Sequence, residues 1–234
     1  MNFAIIPARG GSKRIPHKNI KLFYGRPIMA YSIAAALESG LFSQVVVSTD
    51  DEEIAQVAIQ LGATVPFLRP PELSGDLTPT LPVIKHAVES LEQLYGACTH
   101  ACCIYPAAPF VRSCDLQAGH ASLVNDSGLS FAMSVTSFPF PIQRALKIGL
   151  KNRISMFHPE HETTRSQDLT PAFHDAGQFY WGTAGAWKNA SGIYSSATSA
   201  VLLPRTRVQD IDTLEDWHHA EALFRTLHFP QNQP

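Results

Sequence analysis

Residues 3–19 read Phe3-Ala4-Ile5-Ile6-Pro7-Ala8-Arg9-Gly10-Gly11-Ser12-Lys13-Arg14-Ile15-Pro16-His17-Lys18-Asn19. The first five positions are all apolar, which is typical of a short strand buried on both faces. Strands of that kind belong to a parallel sheet covered by helices. The stretch therefore predicts an α/β domain that carries a glycine-rich basic loop directly after its first strand.

Strands and helices alternate further along the chain. Apolar runs at residues 45–48 and 102–105 repeat the character of the first strand. Helical periodicity covers residues 28–37, 52–61 and 81–94. Gly40 and Gly62 stand where two of these helices would end with a residue in the left-handed conformation. This order predicts a doubly wound α/β fold with a mostly parallel sheet.

The alternation stops after an expected strand at residues 131–135. A proline-rich stretch with few periodic runs follows, which favours irregular or β-ribbon structure. We interpret residues 138–171 as an insertion within a single domain that spans residues 1–234. The core is expected to resume at residues 178–181.

A last amphipathic helix is expected near the carboxyl terminus, at residues 213–227. Asp212 precedes it, and Glu215 follows three residues later, an arrangement similar to a capping box. Residues 229–234 are expected to form a frayed tail.

Composition excludes several classes of protein. The 234 residues carry a formal net charge of −2, so no overall positive field recruits nucleic acid or an acidic membrane surface. No apolar run reaches the roughly 18–20 residues that a membrane span needs, and the apolar start is too short for a signal sequence. The cysteines, Cys98, Cys102, Cys103 and Cys114, have neither a disulfide nor a zinc spacing. We expect a cytoplasmic protein, and the low charged fraction of 16% suits an oligomer.

The basic loop is the sharpest chemical feature of the sequence. Its cations are Arg9, Lys13, Arg14, Lys18 and, when protonated, His17. Gly10 and Gly11 let backbone N–H groups approach a ligand closely. Since α/β sheets bind ligands at the carboxyl ends of their strands, the loop predicts a polyphosphate cradle. It is neither a Walker A loop nor a dinucleotide-binding turn, and the alternative is a solvated basic loop.

Residues 6–13, followed by Pro16, Lys18 and Asn19, resemble the signature of the cytidylyltransferases that activate nonulosonic acids, the CMP-sialic acid synthetase family. Further matches are Val47-Ser-Thr-Asp50, Leu68-Arg-Pro-Pro-Glu-Leu-Ser74, the turn at residues 106–109 and Ile211-Asp-Thr213. The resemblance covers nearly the whole chain. It implies a Rossmann-like fold with a dimerisation insertion and hence a homodimer. It also implies CTP and a 2-keto sugar acid as substrates, Mg²⁺ as cofactor, and a CMP-sugar and pyrophosphate as products.

The resemblance assigns roles to individual residues. Those expected to bind CTP are Ala8, Arg9, Gly10, Gly11, Ser12, Lys13, Lys18, Asn19 and Arg69. Arg9, Lys13 and Lys18 are expected to act in catalysis, because negative charge develops on the α-phosphate and the departing pyrophosphate. For Arg69, the sequence without the resemblance favours a surface arginine paired with a carboxylate.

Asp210 and Asp212 are candidate metal ligands and catalytic residues. On an extended segment, carboxylates at i and i+2 point to one side while Ile211 turns towards the core. Two hard oxygen donors combined with phosphate oxygens are typical of a magnesium site. The metal would polarise the α-phosphate and activate the sugar hydroxyl at C2. For Asp212 the alternative is a helix N-cap, and the resemblance favours the metal.

Departures from the sialic acid pattern suggest which sugar is used. Tyr105 replaces a glutamine in the turn at residues 104–109, and residues 174–178 replace an Arg-Pro-Asn-Gly motif. Both departures resemble the branch of the family that activates pseudaminic acid. A sugar with N-acetyl and methyl groups in place of hydroxyls favours such aromatic faces. The residues expected to bind it are Tyr105, Arg165, Gln167, His174, Asp175 and Gln178.

Two points qualify these assignments. Arg165 suits bidentate binding of the sugar carboxylate. Neighbouring residues in a strand point to opposite faces, so His174 and Asp175 are expected to contact substrate without forming an acid/base pair.

Alternatives within the family are synthetases of CMP-N-acetylneuraminate, CMP-legionaminate or CMP-KDO. An alternative of another class is a non-catalytic nucleotide-sugar binding protein, which would not need both a triphosphate cradle and a metal pair.

Overall fold

The structure is a computed structural model that describes residues 1–228, so the tail expected at residues 229–234 lies outside the described residues. The strands are β1 Asn2–Pro7, β2 Leu22–Phe23, β3 Arg26–Pro27, β4 Gln44–Ser48, β5 His100–Ile104, β6 Phe131–Ser137, β7 Leu146–Ile148, β8 Ile154–Met156, β9 Phe173–Thr183 and β10 Thr198–Leu202. The α-helices are α1 Met29–Ser39, α2 Glu52–Gln60, α3 Thr80–Tyr95, α4 Ser113–Asn125, α5 Ala184–Asn189 and α6 Leu214–His228. Short 3-10 helices lie at Pro71–Leu73, Ile142–Arg144, Leu150–Asn152, Pro159–His161, Ser166–Asp168 and Arg205–Arg207.

The central sheet has the strand order β10-β6-β9-β5-β1-β4. β1 pairs in parallel with β4 and β5, and β10 pairs in parallel with β6. β9 is antiparallel to both of its neighbours, β5 and β6. The mixed, mostly parallel sheet with helices confirms the predicted fold class.

The first strand lies in the middle of the core, as its sequence predicts. Phe3, Ala4, Ile5 and Ile6 are all 0% exposed. Ala4 and Ile6 pack among buried side chains from α1, α2 and α4, while Phe3 and Ile5 pack among those from α3 and α5. Because helices cover both faces of the sheet, a ligand can reach it at the loops that follow the carboxyl ends of the strands.

The predicted helices are present, with ends close to those expected. Gly40, which follows the last residue of α1, has a left-handed φ of 68°, and Gly62 has a φ of 92° after α2. Asp51 caps α2 by accepting a hydrogen bond from the N–H of Ile54 at 3.0 Å. Sequence periodicity therefore located these helices correctly.

The capping-box prediction for the last helix is wrong in its residues. Because α6 begins at Leu214, Thr213 is the cap. Its hydroxyl accepts a hydrogen bond from the N–H of Asp216 at 3.2 Å, and the carboxylate of Asp216 accepts from the N–H of Thr213 at 2.8 Å. The side chain of Asp212 is consequently not part of the cap.

Residues 138–171 form the irregular and ribbon-like structure expected of them. β7 and β8 pair as an antiparallel ribbon, flanked by 3-10 turns. Several of its apolar side chains are largely exposed, including Phe140 (79%), Ile148 (74%) and Leu150 (92%). The role of this segment in dimerisation stays a prediction. Among residues 1–228, no helix has the length and apolarity needed to cross a membrane.

Candidate active site

The loop after β1 is held in place by backbone and side-chain hydrogen bonds. Asn19, which is 5% exposed, donates from its amide to the carbonyl of Arg9 at 2.9 Å. The N–H of Gly10 donates to Asp50 Oδ1 at 3.0 Å. A Cβ atom at Gly10 would lie 2.4 Å from Asp51 Oδ2 and 2.9 Å from Asp51 Cβ, so a larger residue would displace either the loop or the Asp51 side chain that caps α2. The loop is therefore fixed to the ends of two neighbouring strands, β1 and β4.

Helix α6 brings the loop together with the candidate metal ligands. Ile15 of the loop and Ile211 belong to one buried cluster with Trp217 and Phe224 of α6. The Lys18 ammonium donates to the carbonyl of Ile211 at 2.6 Å. Ile211 is 1% exposed and does turn into the core, as predicted. Segments almost 200 residues apart in sequence thus meet at one edge of the sheet.

A cavity of about 450 Å³ opens at this edge. The predicted site residues that line it are Arg9, Ser12, Lys13, Lys18, Asn19, Arg69, Tyr105 and Asp212. Ala8 lies buried behind it, with its N–H bonded to the Ser48 carbonyl at 3.0 Å, and Gly11 is exposed on the loop. A cavity in which several cations converge is suited to a polyanion.

Arg69 is a fixed cation and not the surface arginine that the sequence alone favours. It is 6% exposed, and its guanidinium donates to the Ser48 hydroxyl at 3.1 Å and to the Ser48 carbonyl. Burial lowers the pKa of Arg69, but an arginine remains charged in a protein. Its charge is therefore available to a ligand in the cavity.

Asp212 and Asp210 flank Ile211 beside the loop cations. The Asp212 carboxylate pairs with Arg14 at 2.9 Å and with Lys18 at 3.6 Å. Desolvation by the surrounding protein, and then the charge of Asp212, raise the pKa of Asp210. Desolvation likewise lowers the pKa of Lys18. A divalent cation would relieve the repulsion between the two carboxylates.

The donor set fits magnesium better than a transition metal. Among residues 1–228, no three His, Cys, Asp or Glu side chains are grouped as metal ligands. Two carboxylates complemented by phosphate oxygens and waters are the sparse protein contribution that Mg²⁺ usually receives. Asp210 and Asp212 are the described residues that would hold it.

A second cavity of about 400 Å³ adjoins the first and shares Asp212 with it. His174, Asp175 and Asp210 line it as well. The Asp175 carboxylate accepts hydrogen bonds from the N–H of Gly177 at 2.8 Å and from the Tyr180 hydroxyl at 2.5 Å. The His174 ring nitrogen Nδ1 lies 2.8 Å from the backbone carbonyl oxygen of Asp175, and the ring packs edge-on against Phe138 with the ring centroids 4.8 Å apart. The two side chains therefore form no dyad in the structure, as their neighbouring positions predict.

Three predicted sugar-binding residues lie elsewhere. Gln178 is 2% exposed, and its amide donates to the carbonyl of Arg207 at 2.8 Å, so it supports the strand from inside. Arg165 and Gln167 are exposed on the insertion and line neither of the two cavities. Within one chain, the structure does not bring these residues to the basic loop.

Sequence reasoning missed two acidic residues at the site. Asp76 pairs with Arg9, and with Lys13 at 2.5 Å, inside the first cavity. No spacing in the sequence links it to the loop. Asp50 accepts a hydrogen bond from the N–H of Gly10. It belongs to the sequence match at residues 47–50, where it was assigned no role, and its position two residues after the end of β4 was the signal that could have identified one.

Comparison with known proteins places the chain among enzymes of one type. A family model described as cytidylyltransferase matches residues 3–216. The pseudaminic acid cytidylyltransferase of Campylobacter jejuni is 44% identical over 97% of each chain. The CMP-N,N'-diacetyllegionaminic acid synthase of Legionella pneumophila is 31% identical over 94% of each chain.

A solved structure supports the fold independently. CMP:2-keto-3-deoxy-manno-octonic acid synthetase, complexed with CTP, superposes with a TM-score of 0.73 at 15% identity. The match covers 97% of this chain and 99% of that chain. At this identity the likeness concerns the fold. On the sequence match over nearly its whole described length, the chain belongs to the cytidylyltransferase family.

Proposed function

We propose that the protein transfers CMP from CTP to the C2 hydroxyl of pseudaminic acid, giving CMP-pseudaminic acid and pyrophosphate. The observation that carries the proposal is the convergence of Arg9, Lys13, Arg69 and Asp212 on one cavity, in a chain 44% identical to a pseudaminic acid cytidylyltransferase. Tyr105 lines the same cavity at the position where the sequence departs from the sialic acid pattern.

The cations of the loop would bind and stabilise the triphosphate. Lys13 lies on the outer side of the cavity, with its side chain 83% exposed, whereas the side chain of Arg9 is 32% exposed. Lys18 is fixed to the Ile211 carbonyl and is close to Asp212, so its charge lies next to the candidate metal ligands. Cations held in place before the reaction stabilise the charge that develops on the α-phosphate and on pyrophosphate.

Asp210 and Asp212 would hold Mg²⁺. When bound, the metal would polarise the α-phosphate and favour the deprotonated sugar hydroxyl. Asp212 lines both the first and the second cavity, and Asp210 lines the second. Asp175, fixed by Tyr180 and Gly177, faces the second cavity and would contact the sugar there.

The homodimer expected from the resemblance belongs to the same proposal. The exposed apolar side chains of residues 138–171 would be covered by a second copy of the chain. Arg165 and Gln167 keep their predicted sugar-binding role only if the insertion of one protomer reaches the cavity of its partner. Light scattering of the wild type and of an Ile148→Asp variant tests the dimer. The described cysteines are free, which fits a reducing compartment, and the cytoplasmic location stays a prediction.

Pyrophosphate release is the direct test of the reaction. The protein is incubated with CTP and Mg²⁺, and with pseudaminic, N-acetylneuraminic or legionaminic acid or KDO as acceptor in parallel. Release with pseudaminic acid alone is expected. Release with another of these acids would refute the proposed sugar but not the reaction, and release with none would refute the proposed reaction.

A further inference from the structure

Inside the first cavity, the carboxylate of Asp76 faces the cations of the basic loop. Its carboxylate pairs with Arg9 and Lys13, two cations of the proposed phosphate cradle. It lies in a turn of residues 75–78 that is closed by the N–H of Thr78 donating to the carbonyl of Gly75 at 3.2 Å. Leu77, at the tip of this turn, is 94% exposed. The described ion pairs of Asp76 therefore fasten an otherwise exposed turn to the basic loop.

The carboxylate is ionised at neutral pH. Hydrogen bonds from Lys13 and then Arg9 lower the pKa of Asp76. A carboxylate carries one negative charge, whereas the β- and γ-phosphates of a nucleoside triphosphate, or free pyrophosphate, carry several. A polyphosphate is thus a stronger partner for the two cations than Asp76, but it must displace Asp76 to bind them.

We propose that Asp76 is a specificity-determining residue that competes with phosphate groups for Arg9 and Lys13. Ligands with one phosphate exchange poorly with the carboxylate, and ligands with two or three displace it. When pyrophosphate leaves, Asp76 returns to the cations and opposes its rebinding. This inference rests on the proposed function of the loop as the cradle for the CTP phosphates.

Direct binding of pyrophosphate, measured by calorimetry without acceptor sugar, tests the competition. The variants are Asp76→Asn and Asp76→Ala, with Glu72→Gln as the matched control. Glu72 lies four residues earlier, is exposed, and forms no ion pair with a described residue. Its substitution removes the same charge from the same segment. All of these side chains are at the surface, and thermal unfolding checks that each variant is folded.

The Asp76 variants are expected to bind pyrophosphate about three- to tenfold more tightly than the wild type, since each exposed ion pair contributes only a few-fold to an equilibrium. Glu72→Gln should bind within twofold of the wild type. The difference in pyrophosphate affinity between the Asp76 variants and the wild type should shrink at about 0.5 M salt, where the Debye screening length is only a few ångströms. The constant for product inhibition by pyrophosphate should fall by the same factor.

The outcomes separate this inference from the proposed function. If the wild type and every variant fail to bind pyrophosphate or CTP, the loop is not a phosphate cradle and both fail. If the wild type binds but the Asp76 variants bind equally or more weakly, Asp76 does not compete, and only the inference is overturned. Equal tightening by Glu72→Gln would also overturn it, because the effect would then be one of general charge.

Discussion

The buried ion pair between Arg207 and Asp115 gives the most quantitative prediction. Two guanidinium nitrogens contact the two carboxylate oxygens, at 2.5 and 2.8 Å, and the side chains are only 11% and 10% exposed. Arg207→Met keeps most of the volume but leaves the Asp115 charge buried without its partner. Removing one member of a buried pair costs about 3–5 kcal/mol. For a chain of this size, Tm should fall by roughly 6–20 °C.

Thermal and urea unfolding measure the loss. The control is Lys85→Met, because Lys85 pairs with Glu89 at 3.9 Å on an exposed helix face and should cost less than about 1 kcal/mol. A second comparison is the double variant Asp115→Leu/Arg207→Met, in which two apolar side chains replace both charges and should restore most of the stability. If Arg207→Met costs no more than Lys85→Met, or if the double variant is no more stable than Arg207→Met, the reasoning is refuted.

Three further predictions concern the site. Gly10→Ala should lower kcat/KM for CTP about 100-fold, because the added methyl group displaces the loop. Gly11→Ala is the control and should be nearly neutral, since no atom lies within 4 Å of its Cβ position. Steady-state kinetics of both variants test this difference. Asp210→Asn and Asp212→Asn should each lower turnover about 100-fold and raise the Mg²⁺ concentration for half-maximal rate, and unchanged rates would exclude them as ligands. Burial lowers the pKa of Lys18, so on the alkaline side its charge should be lost at a lower pH than that of an ordinary lysine, and kcat/KM for CTP should fall with it. In Lys18→Arg the alkaline fall in kcat/KM should move to higher pH, and an unchanged pH profile would contradict the assignment.

The sequence predicted strands β1, β4, β5 and β6 and helices α1, α2, α3 and α6 because their patterns are local, whereas the parallel strand β10 was not predicted. β9 was expected as core, but its antiparallel direction was not. A run of buried residues such as Phe179, Tyr180 and Trp181 gives the same sequence pattern in a parallel and in an antiparallel strand. Only the pairing with β5 and β6 fixes the direction of β9. α4 was missed because it packs through Gly119, where a Cβ would lie 2.7 Å from Trp181, and a glycine contributes nothing to an apolar pattern.

The site was predictable where it is continuous in sequence. Residues 8–19 carry their chemistry in one loop, and the pair of carboxylates beside Ile211 follows from alternation in an extended segment. Asp76 could not be found this way, since only the folded chain brings it to Arg9. Gln178 was expected to bind sugar because residues 174–178 depart from a family motif, but the register of β9 points its side chain inward, where its amide donates to a backbone carbonyl.

The antiparallel strand β9 also constrains the order in which the chain can fold. β4, β1 and β5 can pair once residue 104 has been made, but β5 gains its second neighbour only when β9 is complete at Thr183. Translation of these roughly 80 residues takes about 4–16 s, during which an apolar strand edge has no partner. Unpaired edges template aggregation, so the nascent chain is most vulnerable in this interval, and truncation before residue 173 should yield insoluble protein.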